Sequence, residues 1–222
     1  MTKQLNILGC VPDLLNVLIE LANASGNFQS FCVLQNIPVA IGNSYKPIPG
    51  AELTKFDCFD DHWPEQLADV FALSVVGCHS KPLVVDWFQQ RINCKREQFV
   101  NFVHPSSVVA PSATITNGLQ LEALSIIASC TEIGFAVNIK RGTSIGHHCK
   151  LDDYVTVNPG VTMSSQVKVG TQTMIGAGTV IREGISIGRN CVIGMGSVVL
   201  KDLPDDVVAY GNPCVVIKDN KS

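Results

Sequence analysis

The chain has 222 residues, 46% of them hydrophobic but only 6% aromatic and 16% charged, enough for one large domain or two small ones with a buried core. A net charge of -3 supplies no basic footprint for nucleic acid, and no run reaches the roughly 18 apolar residues of a membrane span. Nine cysteines, an odd number with no C-x-x-C pair, argue against a disulfide framework or a zinc ribbon. With no signal-peptide pattern at residues 1–10, a reducing cytoplasm is the expected compartment.

Residues 1–100 predict a small α/β domain. Residues 5–8 read as a short buried strand and 12–24 as an amphipathic helix. Residues 28–34 read as a second strand, and 38–50, with Pro47 and Pro49, as a loop. A third strand over 70–76 is followed by Gly77 and a helix over 82–92. Strands alternating with helices predict a small parallel, Rossmann-like sheet, with 93–102 as linker.

A different rule governs the second half. Steps of six from Val103 to Val199 land on an aliphatic residue or Met at all seventeen positions. Glu97 and Asp205, one step beyond, end the run. The position four residues on is mostly small or β-branched, as at Ser125, Thr143, Cys149 and Val155. The position just after the aliphatic is often Gly, as at Gly134, Gly146, Gly176 and Gly194, which suits a sharp turn or a close backbone approach. A period of six matches neither a helix nor a simple strand. It predicts a triangular coil of three short straight segments, about 18 residues per turn, over 103–204. Both Trp, Trp63 and Trp87, fall outside it.

The [LIV]-G-x4 pattern resembles the hexapeptide-repeat acyltransferases, which implies a left-handed parallel β-helix. The order of elements over 1–100 is similar to the N-terminal domain of the sialic acid O-acetyltransferase and bacillosamine-type sugar N-acetyltransferase group. The resemblance implies a nucleotide-sugar-binding-like α/β domain over 1–100, an acyltransferase β-helix over 101–204 and a capping tail over 205–222. Gly146-His147-His148-Cys149 matches the family register of acid, His, acid, Cys. It implies His147 as general base, with His148 in the place of the carboxylate that orients it. A second family histidine falls on Thr156. The resemblance further implies acetyl-CoA as co-substrate, lying in a groove lined by Ser165, Ala177 and Met195, with Lys201 or Lys218 near its phosphates. It implies a homotrimer in which the base and the donor groove come from different subunits. Lys201 through Pro204 and Gly211-Asn212-Pro213 resemble the family's closing segment.

The family's nucleotide site falls on Gly9, Gln35, Asn36 and Gly77, and the sequence departs from it. One Gly stands in Gly9-Cys10-Val11-Pro12 where the family has three, and Gln35-Asn36 replace an acidic pair. The expected reaction is acetylation of an amino sugar, in relatives often nucleotide-linked. Two other readings remain open: O-acetylation of a sialic-acid-like sugar, and a non-catalytic trimeric scaffold or binding protein. A zinc site is not expected, because only His104, His147 and His148 lie in the coil, and adjacent side chains diverge.

Overall fold

The computed structural model describes residues 3–26, 28–38 and 45–220. Within the loop expected over 38–50, residues 39–44 lie outside the described residues. The chain divides into two compact units, one of Met1–Val76 with Ser80–Phe102, the other of Gly77–His79 with Val103–Ser222.

The first unit is built on four parallel strands. β1 (Lys3–Leu8) leads into α1 (Pro12–Gly26), then β2 (Phe28–Gln35), β3 (Glu52–Asp57), β4 (Phe71–Leu73) and α2 (Ser80–Ile92). Pro12 suits the first helical position of α1 because its missing N–H has no intrahelical partner there, and Asp13 meets the positive end of the helix. Leu15, Leu18, Ile19, Leu21 and Ala22 then bury one face against the sheet core of Leu5, Ile7, Phe31 and Val33. The strand order is β3-β2-β1-β4. The chain steps outward from β1 to β3 and then crosses to the other side of β1, so the switch point lies between β1 and β4.

Three features differ from the sequence reading. β3 escaped it because this edge strand buries none of its residues and reads as a polar run held by its pairing to β2. The strand expected over 70–76 is only Phe71–Leu73, because the backbone turns away at Ser74 after its N–H reaches Leu8 O. The expected linker over 93–102 is packed instead. Phe99 bridges to Phe71, and the buried Phe102 meets the Phe28 ring edge-on at 5.9 Å.

In the coil of the second unit, up to Val199, each straight segment is a two-residue rung, and rungs 18 residues apart pair in parallel, as Ser144 and Ile145 do with Thr162 and Met163. Three faces result. The first carries outward residues such as Asn138 and Thr156, the second Ile126, Ser144 and Thr162, and the third Glu132, Lys150 and Lys168. The ruler residues form one continuous core from Leu121 to Val199, with Val103, Val109 and Ile115 only partly buried at its start. The small inward residues at the corners have a second task. Their side chains donate to carbonyl oxygens on the next coil, as Thr131 Oγ1 to Gly146 O at 2.8 Å and Thr143 Oγ1 to Asn158 O at 3.2 Å. Buried polar groups in this core are thereby satisfied.

The glycines after the ruler residue serve close approach, not positive φ. A Cβ at Gly146 would lie 2.6 Å from Ser164 C and 2.7 Å from Ser165 N on the next coil. The left-handed conformation falls two residues later, at corner positions such as Cys130, His148 and Gln166. Beyond the last coil, Val207–Gly211 extends the first face and pairs antiparallel with Cys214–Asp219, closing the open end. No helix among the described residues is long and apolar enough to cross a membrane.

Candidate active site

The corner between the second and third faces carries Gly146-His147-His148-Cys149. Its neighbours fix it from both sides. Ile145 is buried in the core, and Cys149 turns back inward with its Sγ 3.1 Å from Ser164 O. Burial raises the Cys149 thiol above its ordinary pKa, with backbone hydrogen bonds from Val167 and Gln166 opposing, so it is a packing residue and a poor nucleophile. Between these anchors His147 and His148 are exposed. The His148 N–H donates to Ser129 O at 3.0 Å, and His147 O accepts from the Gln166 N–H at 2.9 Å. The coil before and the coil after therefore both hold the backbone of the pair.

The two imidazoles meet edge to face, with Nδ1 of His147 3.0 Å from Nδ1 of His148. One of these nitrogens must carry the hydrogen and the other must accept it. The aspartates just downstream are engaged elsewhere. Asp153 Oδ1 accepts from the Phe135 N–H at 2.8 Å, and Asp152 lies 3.9 Å from Lys150 Nζ. Sequence reasoning placed His148 beside His147 but missed this contact, which depends on the direction of two side chains at a left-handed turn.

The other expected site residues do not gather around His147 within one chain. Ser165 follows it one coil on, at the same corner. Ala177 and Met195 lie at a different corner, between the first and second faces, where a Cβ on Gly176 would meet Met195 N at 2.5 Å. Met195 is 81% exposed there. Thr156 is buried on the first face, half a coil beyond His147. The second face thus separates the histidine corner from the Ala177 and Met195 corner. Lys201 and Lys218 are exposed. No group of three or more His, Cys, Asp or Glu among the described residues is placed to hold a metal ion.

In the first unit, Gly9 stands at the end of β1 with φ +74, where a Cβ would meet Val75 Cγ2 at 2.9 Å, with Asn36 Oδ1 3.7 Å from the same point. Gly9 and Asn36 are therefore neighbours at the carboxyl ends of the strands, beside the switch point. Gln35 is buried beneath them and hydrogen-bonds the Cys10 thiol, whose pKa burial raises. Ser74 was not anticipated. It follows β4 as Gly9 follows β1, and its buried hydroxyl has no hydrogen-bond partner among the described residues. Gly77 groups with the second unit.

A family model described as the hexapeptide repeat of succinyl-transferase matches residues 166–201. No curated protein matches the sequence. Among solved structures, the chain resembles a perosamine N-acetyltransferase from Caulobacter crescentus in complex with CoA and GDP-perosamine, at 22% identity and TM-score 0.79, over 99% of this chain and 98% of that one. It resembles equally the acetyltransferase domain of PglB from Neisseria gonorrhoeae in complex with acetyl coenzyme A, at 22% identity and TM-score 0.79, over 98% of this chain and all (100%) of that one. WeeI from Acinetobacter baumannii matches at 19% identity and TM-score 0.76, over 97% of this chain and 100% of its own. The chain therefore has the fold of these structures from end to end, a small Rossmann-like α/β domain followed by a left-handed parallel β-helix built on the hexapeptide repeat.

Proposed function

We propose that the chain is an acetyl-CoA-dependent acetyltransferase acting on the amine of an amino sugar, with His147 as general base. The observation that carries the reading is His147 itself, an exposed imidazole on a corner whose backbone is held by the coils before and after, in a fold whose solved examples include sugar N-acetyltransferases holding CoA or acetyl-CoA. In the proposed step the free amine attacks the thioester carbonyl and forms the C–N bond. The C–S bond breaks as the CoA thiolate leaves. The amine proton passes to Nε2 of His147 and then to the departing sulfur. An imidazole, which accepts a proton on one nitrogen and can return it, suits both transfers. No covalent acyl-enzyme is required, consistent with the buried, unreactive Cys149.

The site is assembled between copies of the chain in a homotrimer. His147 and Ser165 sit on one edge of the second face, and Ala177 and Met195 on the other, so one copy cannot close a donor groove over its own histidine. A neighbouring copy supplies the second corner. The acceptor is nucleotide-linked, with Gly9, Gln35, Asn36 and Ser74 of the first unit as the candidate contacts. The single-glycine turn and the neutral Gln35-Asn36 pair imply looser binding than a three-glycine turn with an acidic pair would give. Nine free cysteines suit a reducing compartment, the cytoplasm.

The test is product analysis. Purified protein with acetyl-CoA is expected to release free thiol and to add one acetyl group to the amine of an amino sugar, with a lower KM for a nucleotide-linked acceptor than for the free sugar. Acetyl found on a hydroxyl would reassign the acceptor. No transfer across amine and hydroxyl sugars would favour a non-catalytic scaffold.

A further inference from the structure

We propose that His148 is a positioning residue that makes His147 a base by accepting its Nδ1 hydrogen, so that this site runs on a neutral histidine pair where a carboxylate would otherwise stand. The proposal rests on the reading of His147 as the base. It starts from one distance, the 3.0 Å between the two Nδ1 atoms. At that separation a single hydrogen lies between the rings, and two arrangements are open. If His148 donates, Nδ1 of His147 accepts and its Nε2 carries the other hydrogen, which leaves no lone pair for the substrate. If His147 donates, its Nε2 lone pair is free. Only the second arrangement gives a base.

Proton bookkeeping favours the same arrangement. When His147 takes the amine proton on Nε2, it becomes an imidazolium with hydrogens on both nitrogens. Its Nδ1–H still points at the Nδ1 lone pair of His148, whose own hydrogen stays on Nε2. The contact survives the whole cycle, and His147 returns the Nε2 proton to the CoA thiolate without turning its ring. A hydrogen-bond acceptor on Nδ1 is the usual way a protein fixes which histidine nitrogen is reactive.

A neutral acceptor differs from a carboxylate in one respect. It orients the ring but adds no negative charge to hold the imidazolium. The ionisable groups on neighbouring rungs are Cys130 and Glu132 on the coil before, Lys150 and Asp152 on the same coil, and Lys168 and Glu183 on the coils after. Lys150 is 3.9 Å from both Glu132 and Asp152, and among the described residues neither imidazole has an ion-pair partner. Within one chain, Glu132, Lys150 and Asp152 on these rungs pair with one another and not with either imidazole.

Two measurements test this on the intact chain. The first is nitrogen-15 NMR of labelled histidine at about pH 8, with only five histidines to assign. The expected result is hydrogen on Nδ1 of His147 and on Nε2 of His148. Hydrogen on Nε2 of His147 and Nδ1 of His148 would overturn the proposal, whatever the activity. The second is the pH profile of thiol release. His148→Phe is expected to lower kcat about tenfold with the KM for acetyl-CoA unchanged, as for a residue that acts through the base. His148→Asp is expected to retain most of kcat and to move the acid limb of the profile up by about one pH unit, because an adjacent carboxylate stabilises the imidazolium. A wild-type rate and profile in His148→Phe would overturn the proposal while leaving the acetyltransferase reading standing. Wild-type protein inert toward every acceptor would overturn that reading and, with it, the catalytic use of the pair.

Discussion

Gly146 shows how one residue without a side chain positions the two that follow it. The next coil's backbone passes so close that a Cβ at Gly146 would sit 2.6 Å from Ser164 C, and neither partner is a side chain that can swing aside. Gly146→Ala is expected to destabilise the fold at the upper end of the roughly 1–3 kcal/mol that overpacking costs. Gly142 makes the internal control. It has φ +70 with nothing within 4 Å of its Cβ position, so Gly142→Ala is expected to cost only about 1 kcal/mol through backbone strain. Thermal melts should rank the two in that order, and equal shifts would contradict the close-packing account. This order of cost is not visible in sequence, where both positions are simply Gly. The corner position of His147 was legible because the ruler fixed its register. The Nδ1 contact with His148 was not, because it depends on a left-handed corner that Cys130 and Gln166 share without having its chemistry.

Elements were legible in proportion to the regularity of their burial. Every rung of the coil could be read, since Ile127, Ile133, Ile139 and Ile145 recur at the spacing that places them inside. α1 was legible for the same reason, through Leu15, Leu18, Ile19 and Ala22. β3 was not, because backbone pairing to β2 holds it and little of its surface is buried. The second face of the coil makes a prediction of its own. Its outward column includes Val108, Ile126 and Val180, which are 59%, 46% and 44% exposed in the single chain. Exposed aliphatic side chains aligned on one face suit burial against another copy. Val180→Asp is expected to yield smaller species by light scattering, to keep the circular dichroism of the coil, and to lose at least about tenfold in thiol release, because a charge is being buried in an apolar contact. A fully active trimer in Val180→Asp would place the interface elsewhere.

At the scale of the whole molecule, the shortage of aromatic residues and the six-residue ruler have one cause. A triangular coil with two-residue rungs has room inside for Ile, Val, Leu and small hydroxyl or thiol side chains, while Trp63 and Trp87 stack on each other in the α/β unit at 5.9 Å. The architecture was therefore written in the periodicity. The site was only half written there. The sequence marks His147, Ser165, Ala177 and Met195, but one chain places them on opposite edges of the second face, a separation that no periodicity reveals. The grouping at the strand ends of the first unit is the least legible, because Gly9, Asn36 and Ser74 come together only through the strand order β3-β2-β1-β4. All of this turns on one imidazole. The direct measurement is the rate of thiol release from acetyl-CoA, with an accepted amino sugar, by wild-type protein and by His147→Ala at matched fold and oligomeric state. The account predicts a fall of at least about a hundredfold in kcat, as loss of a general base requires. An unchanged rate in His147→Ala would contradict it.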